Sequence, residues 1–467
     1  MKILLAVPPS PNHRRIIRMI DCSHEAKASY LWHPNDFLII SSLCGPGDEC
    51  VLVEGTADSL SDEAFFGRVK DAKPDIIFFA LSSAGWETDL KYYRKTRGLY
   101  PHTPHFVIAD LFIEKEYREF ILRECEGIVG NPYLLDLKAM SAAKRGHGDK
   151  FPGVYTHHED TIYKGKQAVH LRTASPRHEL FLRPGYRFPF ALRHKFASVT
   201  TMWGCPFTCS YCTDSKLQPV VRHHEDILAE LDRLHRIGVK ELFFTDKTFG
   251  FSESDVYPLL EAMAKKYRFD WCCYFHPQLY RPKLLEMMKA AGCHSMIVGI
   301  DSANMDSLKQ YSRSLAKSRL EEFLAKANEL RISICADFII GLPHETEDDV
   351  KRTIDYALSL PLDFASFNIA APLPGSEIRA KAKEKNLLPF GNEGFDTLGT
   401  NAMLGNQNLH ADSLRRLRHD AILSFYLRPS YILRRLGRTR SPGHFWNQFL
   451  QMLALFRKGI DPNLPPA

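Results

Sequence analysis

The chain has 467 residues, 45% of them hydrophobic and 25% charged, with a formal net charge of +6. That balance excludes a disordered polymer and suggests about two to four packed domains. So small a charge supports no nucleic-acid function, which needs a concentrated basic patch. The apolar opening from Met1 is too short for a signal-peptide core and is broken by Pro8. No window approaches about 18 uninterrupted apolar residues, so no membrane span is expected. The eleven cysteines are accordingly read as reduced and cytoplasmic. Most of Cys22, Cys44, Cys50, Cys125, Cys272, Cys273, Cys293 and Cys335 then serve as small core residues.

Residues 2–7 predict a short apolar strand that stops at Pro8 and Pro9. Further strands at 50–54, 75–81, 105–109 and 127–130 alternate with helix-compatible segments at 61–73, 87–97 and 115–125. Apolar strands separated by helices imply a parallel sheet covered on both faces. In such a sheet a ligand sits outside the carboxyl ends of the strands, here the loops at 8–12, 55–58, 82–86 and 110–112. Residues 1–135 are read as one Rossmann-like domain. No G-x-G-x-x-G follows the first strand, which argues against a nicotinamide cofactor. Trp32, His33 and Asn35 precede an apolar helix at 37–43 and are candidates to face an interdomain cleft.

Residues 136–195 are rich in Lys, Arg, His, Gly and Pro and read as a linker, with a small hairpin at 160–165. His157, His158 and His170 lack metal-site spacing and are expected in solvent.

A strand at 196–200 leads into a loop carrying Cys205, Cys209 and Cys212, spaced C-x3-C-x2-C. Thiolates on one short loop can converge on a metal centre, and three of them leave a coordination position open where four would close a zinc site. Spacing alone leaves three readings: an iron–sulfur cluster, zinc with a distant fourth ligand, or three cysteines in a buried turn. Helices at 224–237, 254–266, 282–291, 315–330 and 347–360 then alternate with strands at 241–246, 271–275, 295–300, 334–340 and 364–370. Six such repeats predict a partial parallel barrel over 196–389, with its chemistry at the carboxyl ends of the strands. The cysteine loop occupies such an end. Residues 390–408 are loop-rich and 411–426 helical, and 431–436 and 445–456 mix aromatics with arginines. A helical region at 390–467 packed on the barrel with a solvated basic face is the favoured reading, and peripheral membrane contact is the other. The expected fold is α/β: a Rossmann-like domain, a linker, a partial (β/α)6 barrel and a helical C-terminal region.

The cysteine triad, with Tyr211 before its last member, resembles the signature of the radical S-adenosylmethionine (SAM) superfamily. The segments 241–246, 299–302, 341–346 and 372–377 resemble that family's strand-end segments. With a Rossmann-like domain in front, residues 1–390 resemble the cobalamin-binding subgroup, which includes methyltransferases acting on unactivated carbon or phosphorus and the anaerobic cyclase of chlorophyll biosynthesis. The resemblance implies that Cys205, Cys209 and Cys212 hold a [4Fe-4S] cluster whose fourth iron binds SAM. Tyr211 would lie near the adenine, Asp301 and Ser302 would face the ribose or methionine part, and Ile340 and Gly341 would line the adenine pocket. An external electron donor such as flavodoxin or ferredoxin and a small-molecule substrate follow from the same resemblance.

The chain departs from the family in several places. Asp301 stands where many relatives have Glu, and Asp246 is followed by Lys247 where relatives often have paired acids. Asp246 reads equally well as a cap on the next segment. The Asp-x-His-x-x-Gly pattern is absent. The loops after the fourth and fifth strands read Ala109-Asp-Leu-Phe112 and Gly130-Asn-Pro-Tyr133, where small glycine loops would let a corrin approach. Ser82, Ser83 and Gly85 remain small enough and are the candidate cobalamin contacts. His276, beside Cys272 and Tyr274 on the third barrel strand, is the candidate proton donor or acceptor. The leading expectation is a cobalamin-dependent radical enzyme methylating an unactivated carbon of a large hydrophobic metabolite, a tetrapyrrole or lipid for example. The second is a cobalamin-independent radical oxidation, cyclisation or rearrangement, and the third a non-catalytic scaffold with a zinc clip.

Overall fold

The computed structural model describes residues 1–10, 15–19, 31–143, 150–156, 168–313, 315–385 and 406–438. The expected hairpin at 160–165, His157, His158, Cys22, most of the loop-rich stretch at 390–408 and the segment 445–456 lie outside the described residues.

The first domain runs β1 (Lys2–Val7), α1 (Asn35–Ser42), β2 (Glu49–Glu54), α2 (Asp62–Ala72), β3 (Ile76–Leu81), α3 (Trp86–Leu99), β4 (His105–Ala109), α4 (Lys115–Leu122), β5 (Gly127–Val129), α5 (Leu137–Ser141) and β6 (Val154–Tyr155). The sheet order is β2-β1-β3-β4-β5-β6. Its first five strands are parallel, and β6 pairs antiparallel with β5. Every residue of β3 is buried, as a strand covered on both faces requires. The sheet thus extends past residue 135, taking a strand from the expected linker.

A three-stranded sheet, β7 (Val169–Leu171), β10 (Val220–Arg222) and β9 (Met202–Trp203), sits between the domains. The barrel begins at β8 (Ala197–Val199) and continues through α6 (His224–Arg236), β11 (Glu241–Phe244), α7 (Glu253–Lys266), β12 (Asp270–Phe275), α8 (Pro282–Ala290), β13 (Cys293–Asp301), α9 (Met305–Gln310), α10 (Lys317–Glu329), β14 (Ser333–Ile340), α11 (Glu347–Ser359) and β15 (Phe364–Ile369). Its six strands lie side by side in chain order, all parallel. Three helices follow: α12 (Glu377–Glu384), α13 (Ala411–Tyr426) and α14 (Pro429–Arg438).

Strand alternation sorts the barrel side chains into two cores. Leu242, Phe244, Met296, Val298, Ile334 and Ala336 join the outer helices. Phe243, Cys272, Ile297 and Cys335 point the other way, into a core shared with Ile3, Leu5 and Phe78 of the first sheet. Phe181, Tyr186 and Phe188 of the expected linker fill the space between them. These aromatic residues of the expected linker are therefore packed interior between the two sheets. α13 covers the last strand: Leu414, Leu417, Ala421 and Phe425 are buried, Arg418 Nε donates to Phe367 O at 3.0 Å and the Tyr426 hydroxyl to Ala365 O at 2.8 Å. Among the described residues, no helix is long and apolar enough to cross a membrane.

Candidate active site at the cysteine loop

The loop is fixed before it reaches its first thiol. Asp246, fully buried past the end of β11, accepts a hydrogen bond from Thr201 N at 2.6 Å and another from the Thr201 hydroxyl. Burial raises this carboxyl to about 6 against the pull of those donors. Asp246 therefore ties the end of β8 and caps no helix, since Ser252 holds the N-cap position of α7. Gly204 then turns with φ +75°, and a Cβ there would lie 2.8 Å from Gln218 O. On its far side the loop is tied to distant strand-end segments. Ser210 N donates to Tyr311 O at 2.9 Å, and Glu377 N donates to Ser210 O at 2.8 Å. The Thr213 hydroxyl donates to Pro374 O at 2.9 Å.

All three cysteines are free thiols. Burial first, and then the Asp214 carboxylate, push Cys205 up to about 12. Burial raises Cys209, and burial, Asp214 and the other two thiols raise Cys212. Three thiols close enough to oppose one another's ionisation need a cationic centre to become thiolates together. A [4Fe-4S] cluster held by three cysteines supplies that charge and leaves one iron for another ligand. The donor set fits this group.

Beside the thiols lies a polar array. The Tyr211 hydroxyl donates to Asp301 Oδ2 at 2.9 Å, and Asp301 itself sits at φ +69°. Arg313 Nε lies 2.6 Å from the same carboxylate oxygen, and its Nη2 donates to Gly299 O at 2.5 Å. Arg313 also lies against His276 Nε2, and the His276 ring stacks on Phe207 of the cysteine loop with centroids 3.9 Å apart. Gln278 N donates to His276 Nδ1 at 3.1 Å. Burial and then the Arg313 charge push His276 down to about 2, so it stays neutral and serves as a platform for the loop. Arg313 carries no motif, and only the fold brings it to Asp301.

The other expected SAM contacts are placed differently from one another. Ser302 is fully buried, and its hydroxyl lies 3.2 Å from Thr353 Oγ1 and accepts from Asn304 N at 3.1 Å. Ile340 packs its side chain into the outer core with Phe338. Gly341 turns at φ +81°, where a Cβ would lie 2.6 Å from Leu414. Glu345 accepts from Gly341 N at 2.8 Å and Leu342 N at 2.9 Å and so shapes that turn.

In the first domain, Ser82 and Ser83 are buried. The Ser82 hydroxyl donates to Asp89 at 2.9 Å and accepts from Gly85 N at 3.0 Å, while Ser83 N donates to Asp110 at 2.9 Å. Over this loop lies Arg18, 2.8 Å from Asp89 and 2.7 Å from Thr56 Oγ1. Ile16 packs there against Ala84, Leu111 and Tyr117. Phe112 and Tyr133, which obstruct a corrin in the sequence reading, pack instead into separate cores. The Ser82–Gly85 loop, the candidate corrin contact, is covered in this structure by Ile16 and Arg18. Trp32, His33 and Asn35 line a cleft with Arg18, Met202, Trp203, Gly204, Asp214 and Lys247, so first-domain residues and the cysteine loop do share one opening.

The described architecture is a parallel barrel with three thiols past the end of its first strand, behind a Rossmann-like domain. Residues 199–357 match the radical SAM superfamily model. The chain is 29% identical over 245 residues to an uncharacterized methyltransferase of Pyrococcus horikoshii, covering 51% of this chain and 53% of the relative. It is 25% identical over 242 residues to the bacteriochlorophyllide d C-12(1)-methyltransferase of Chlorobaculum tepidum, covering 48% and 50%. The chain spans about half the length of these curated relatives. Two solved structures share its fold. The radical SAM methyltransferase TsrM of Kitasatospora setae, solved with cobalamin and a [4Fe-4S] cluster, matches at TM-score 0.62 and 16% identity over 82% of this chain and 78% of that one. The cobalamin-dependent SAM radical enzyme OxsB, solved with aqua-cobalamin and SAM, matches at TM-score 0.65 and 14% identity over 100% and 73%.

Proposed function

We propose that the chain is a cobalamin-dependent radical SAM enzyme that methylates an unactivated carbon of a large, hydrophobic small molecule. The observation that carries this reading is the three-thiol loop, held against Tyr211, Asp301 and Arg313 and opening on a cleft walled by the first domain. The bound groups would supply reductive cleavage of the SAM sulfonium to a 5′-deoxyadenosyl radical and carriage of the methyl group. Cys205, Cys209 and Cys212 hold the cluster. Tyr211, Asp301 and Arg313 offer a hydroxyl, a carboxylate and a guanidinium to the polar groups of SAM, and Glu345 fixes the turn at Gly341 beside them. Trp32, Met202 and Trp203 narrow the cleft and exclude water from a reactive radical. The methyltransferase names of the two sequence relatives support methyl transfer, and the bacteriochlorophyllide named for one supports a tetrapyrrole-like substrate. Electrons come from an external donor such as flavodoxin or ferredoxin. Contact with a membrane surface through α14, where Ile432 and Leu433 are exposed, suits a hydrophobic substrate.

Arg18 and Ile16, lying over the Ser82–Gly85 loop, favour a second reading in which the first domain holds no corrin and the radical serves oxidation, cyclisation or rearrangement. Anaerobic reconstitution with iron, sulfide and hydroxocobalamin, followed by mass spectrometry of the products, separates the two. Stoichiometric corrin with both 5′-deoxyadenosine and S-adenosylhomocysteine is the expected result. 5′-Deoxyadenosine alone, without corrin, supports the second reading, and zinc in place of iron overturns both.

A further inference from the structure

The floor of the barrel, at the opposite end of the strands from the cysteine loop, carries a second set of ligating groups. Glu241 opens β11, Cys272 lies near the start of β12 and His294 near the start of β13. One ligand atom from each lies within 4.8 Å of the other two, and all three residues are buried. They stand on three adjacent strands, so the backbone that holds them is rigid.

The strand register is broken at this point. Trp271 pairs with Cys293, and the next residue, Cys272, pairs with Ser295, leaving His294 as the extra residue of a bulge. Cys293 and Met296 both face the outer core, so the two residues between them are turned the other way. A bulge re-aims a side chain at the cost of regular pairing, and here it aims His294 at Glu241. The His294 Nε2 lies 2.9 Å from Glu241 Oε1, and its Nδ1 is held by the Ser295 hydroxyl at 2.8 Å. Anchoring one imidazole nitrogen so that the other faces a ligand set is the usual support of a metal-binding histidine.

We propose that Glu241, Cys272 and His294 form a buried site for a zinc ion, distinct from the cluster. A thiolate, an imidazole and a carboxylate are zinc donors, whereas magnesium and calcium take oxygen ligands alone. Donors around one zinc ion sit roughly 3 to 4 Å apart, given bond lengths of about 2.0 to 2.3 Å, and the trio, within 4.8 Å of one another, needs only small side-chain shifts to reach that spacing. On binding, the Cys272 thiol proton leaves, and one thiolate and one carboxylate neutralise the dication. A neutral set suits a fully buried floor better than an isolated charge does. The ion ties β11, β12 and β13 together in the core that also holds the stacked Phe188 and Phe243 rings, whose centroids are 4.0 Å apart.

The test uses the anaerobic, cluster-loaded full chain, with zinc and iron counted together and Co2+ added as a spectroscopic probe. Expected are about one zinc per chain beyond the cluster iron and a Co2+ difference spectrum containing a sulfur-to-metal band. Cys272→Ser should keep the iron and the circular dichroism of the wild type, lose the sulfur band and weaken zinc binding at least about tenfold. His294→Gln should lose the ion, and where that variant fails to fold, Cys272→Ser decides. A wild type that takes neither zinc nor cobalt beyond its iron overturns the proposal. So does a Co2+ spectrum identical in wild type and Cys272→Ser, which assigns the ion to an adventitious surface site.

Discussion

Glu345 is held in its place against its own charge. Burial raises its carboxyl from 4.5 to about 7, although Gly341 N and Leu342 N both donate to it. Because the folded value lies above the unfolded one, the folded state gains protons first, and stability falls as pH rises from about 4.5 to 7, by at most about 3 kcal/mol. Glu345→Gln keeps an oxygen to accept both N–H groups and cannot ionise. Its denaturation midpoint should gain on the wild type's across that window and then hold a constant lead, and parallel pH profiles would sink the idea. Arg313 poses the converse case, a buried cation on which Asp301 depends. Arg313→Ala leaves that carboxylate unpaired, at a cost of about 3–5 kcal/mol. SAM affinity measured by equilibrium dialysis should fall tenfold or more while iron content holds, with Arg313→Lys recovering part of it because it restores charge but not the planar fork. Unchanged affinity in Arg313→Ala would leave Arg313 a purely structural role.

Secondary elements divide sharply into those the sequence announces and those it hides. The barrel strands are readable because short apolar runs between helix-compatible segments are local signals, and the cysteine loop because three thiols within eight positions are rare by chance. Arg313, Asp246 and the Glu241–Cys272–His294 trio were not readable, since each acquires its partner from a strand far along the chain. For Asp246 a cap and a site role read equally well because sequence shows only its neighbours, whereas its partner Thr201 is 45 residues away. β6 is hidden in the sequence for the same reason: two residues in a polar stretch carry no periodicity, and their pairing with β5 makes them a strand. His276 follows the end of β12, as its sequence position implies, but its burial and its contact with Arg313, which decide its protonation, are tertiary. Gly204 tests the element that carries the loop. Gly204→Ala forces a side chain into φ +75° and against Gln218 O, which costs about 1–2 kcal/mol in the backbone alone. Iron bound per chain after reconstitution should drop, and wild-type iron content would show that the turn adapts without moving the thiols.

On the scale of the whole molecule, residues 373–383 join the cysteine loop to the first domain. The loop end is held by Pro374 O and by Glu377, whose Oε2 accepts from the Ser210 hydroxyl at 2.9 Å. A few residues on, the same segment reaches Glu114 at the start of α4. Gly375 N donates to that carboxylate at 2.8 Å, Arg379 Nε lies 3.3 Å from it, and Lys383 bridges Glu114 and Glu116. Burial pushes the Glu114 carboxyl up, and Lys383, Gly375 and Arg379 together outweigh it, leaving the group below its ordinary value. The staple is therefore complete at neutral pH and is lost as pH falls below the ordinary carboxylate range. Glu114→Ala removes the shared acceptor and leaves Arg379 buried without that carboxylate, at a cost of about 3 kcal/mol. Glu114 touches no thiol, so a cluster that depends only on its own loop should not notice the change. If the interdomain staple braces the loop, cluster iron should pass to an added chelator several times faster in Glu114→Ala than in wild type under anaerobic conditions. Equal release rates, with the stability loss present, would show that the two domains are joined without the first one supporting the cluster.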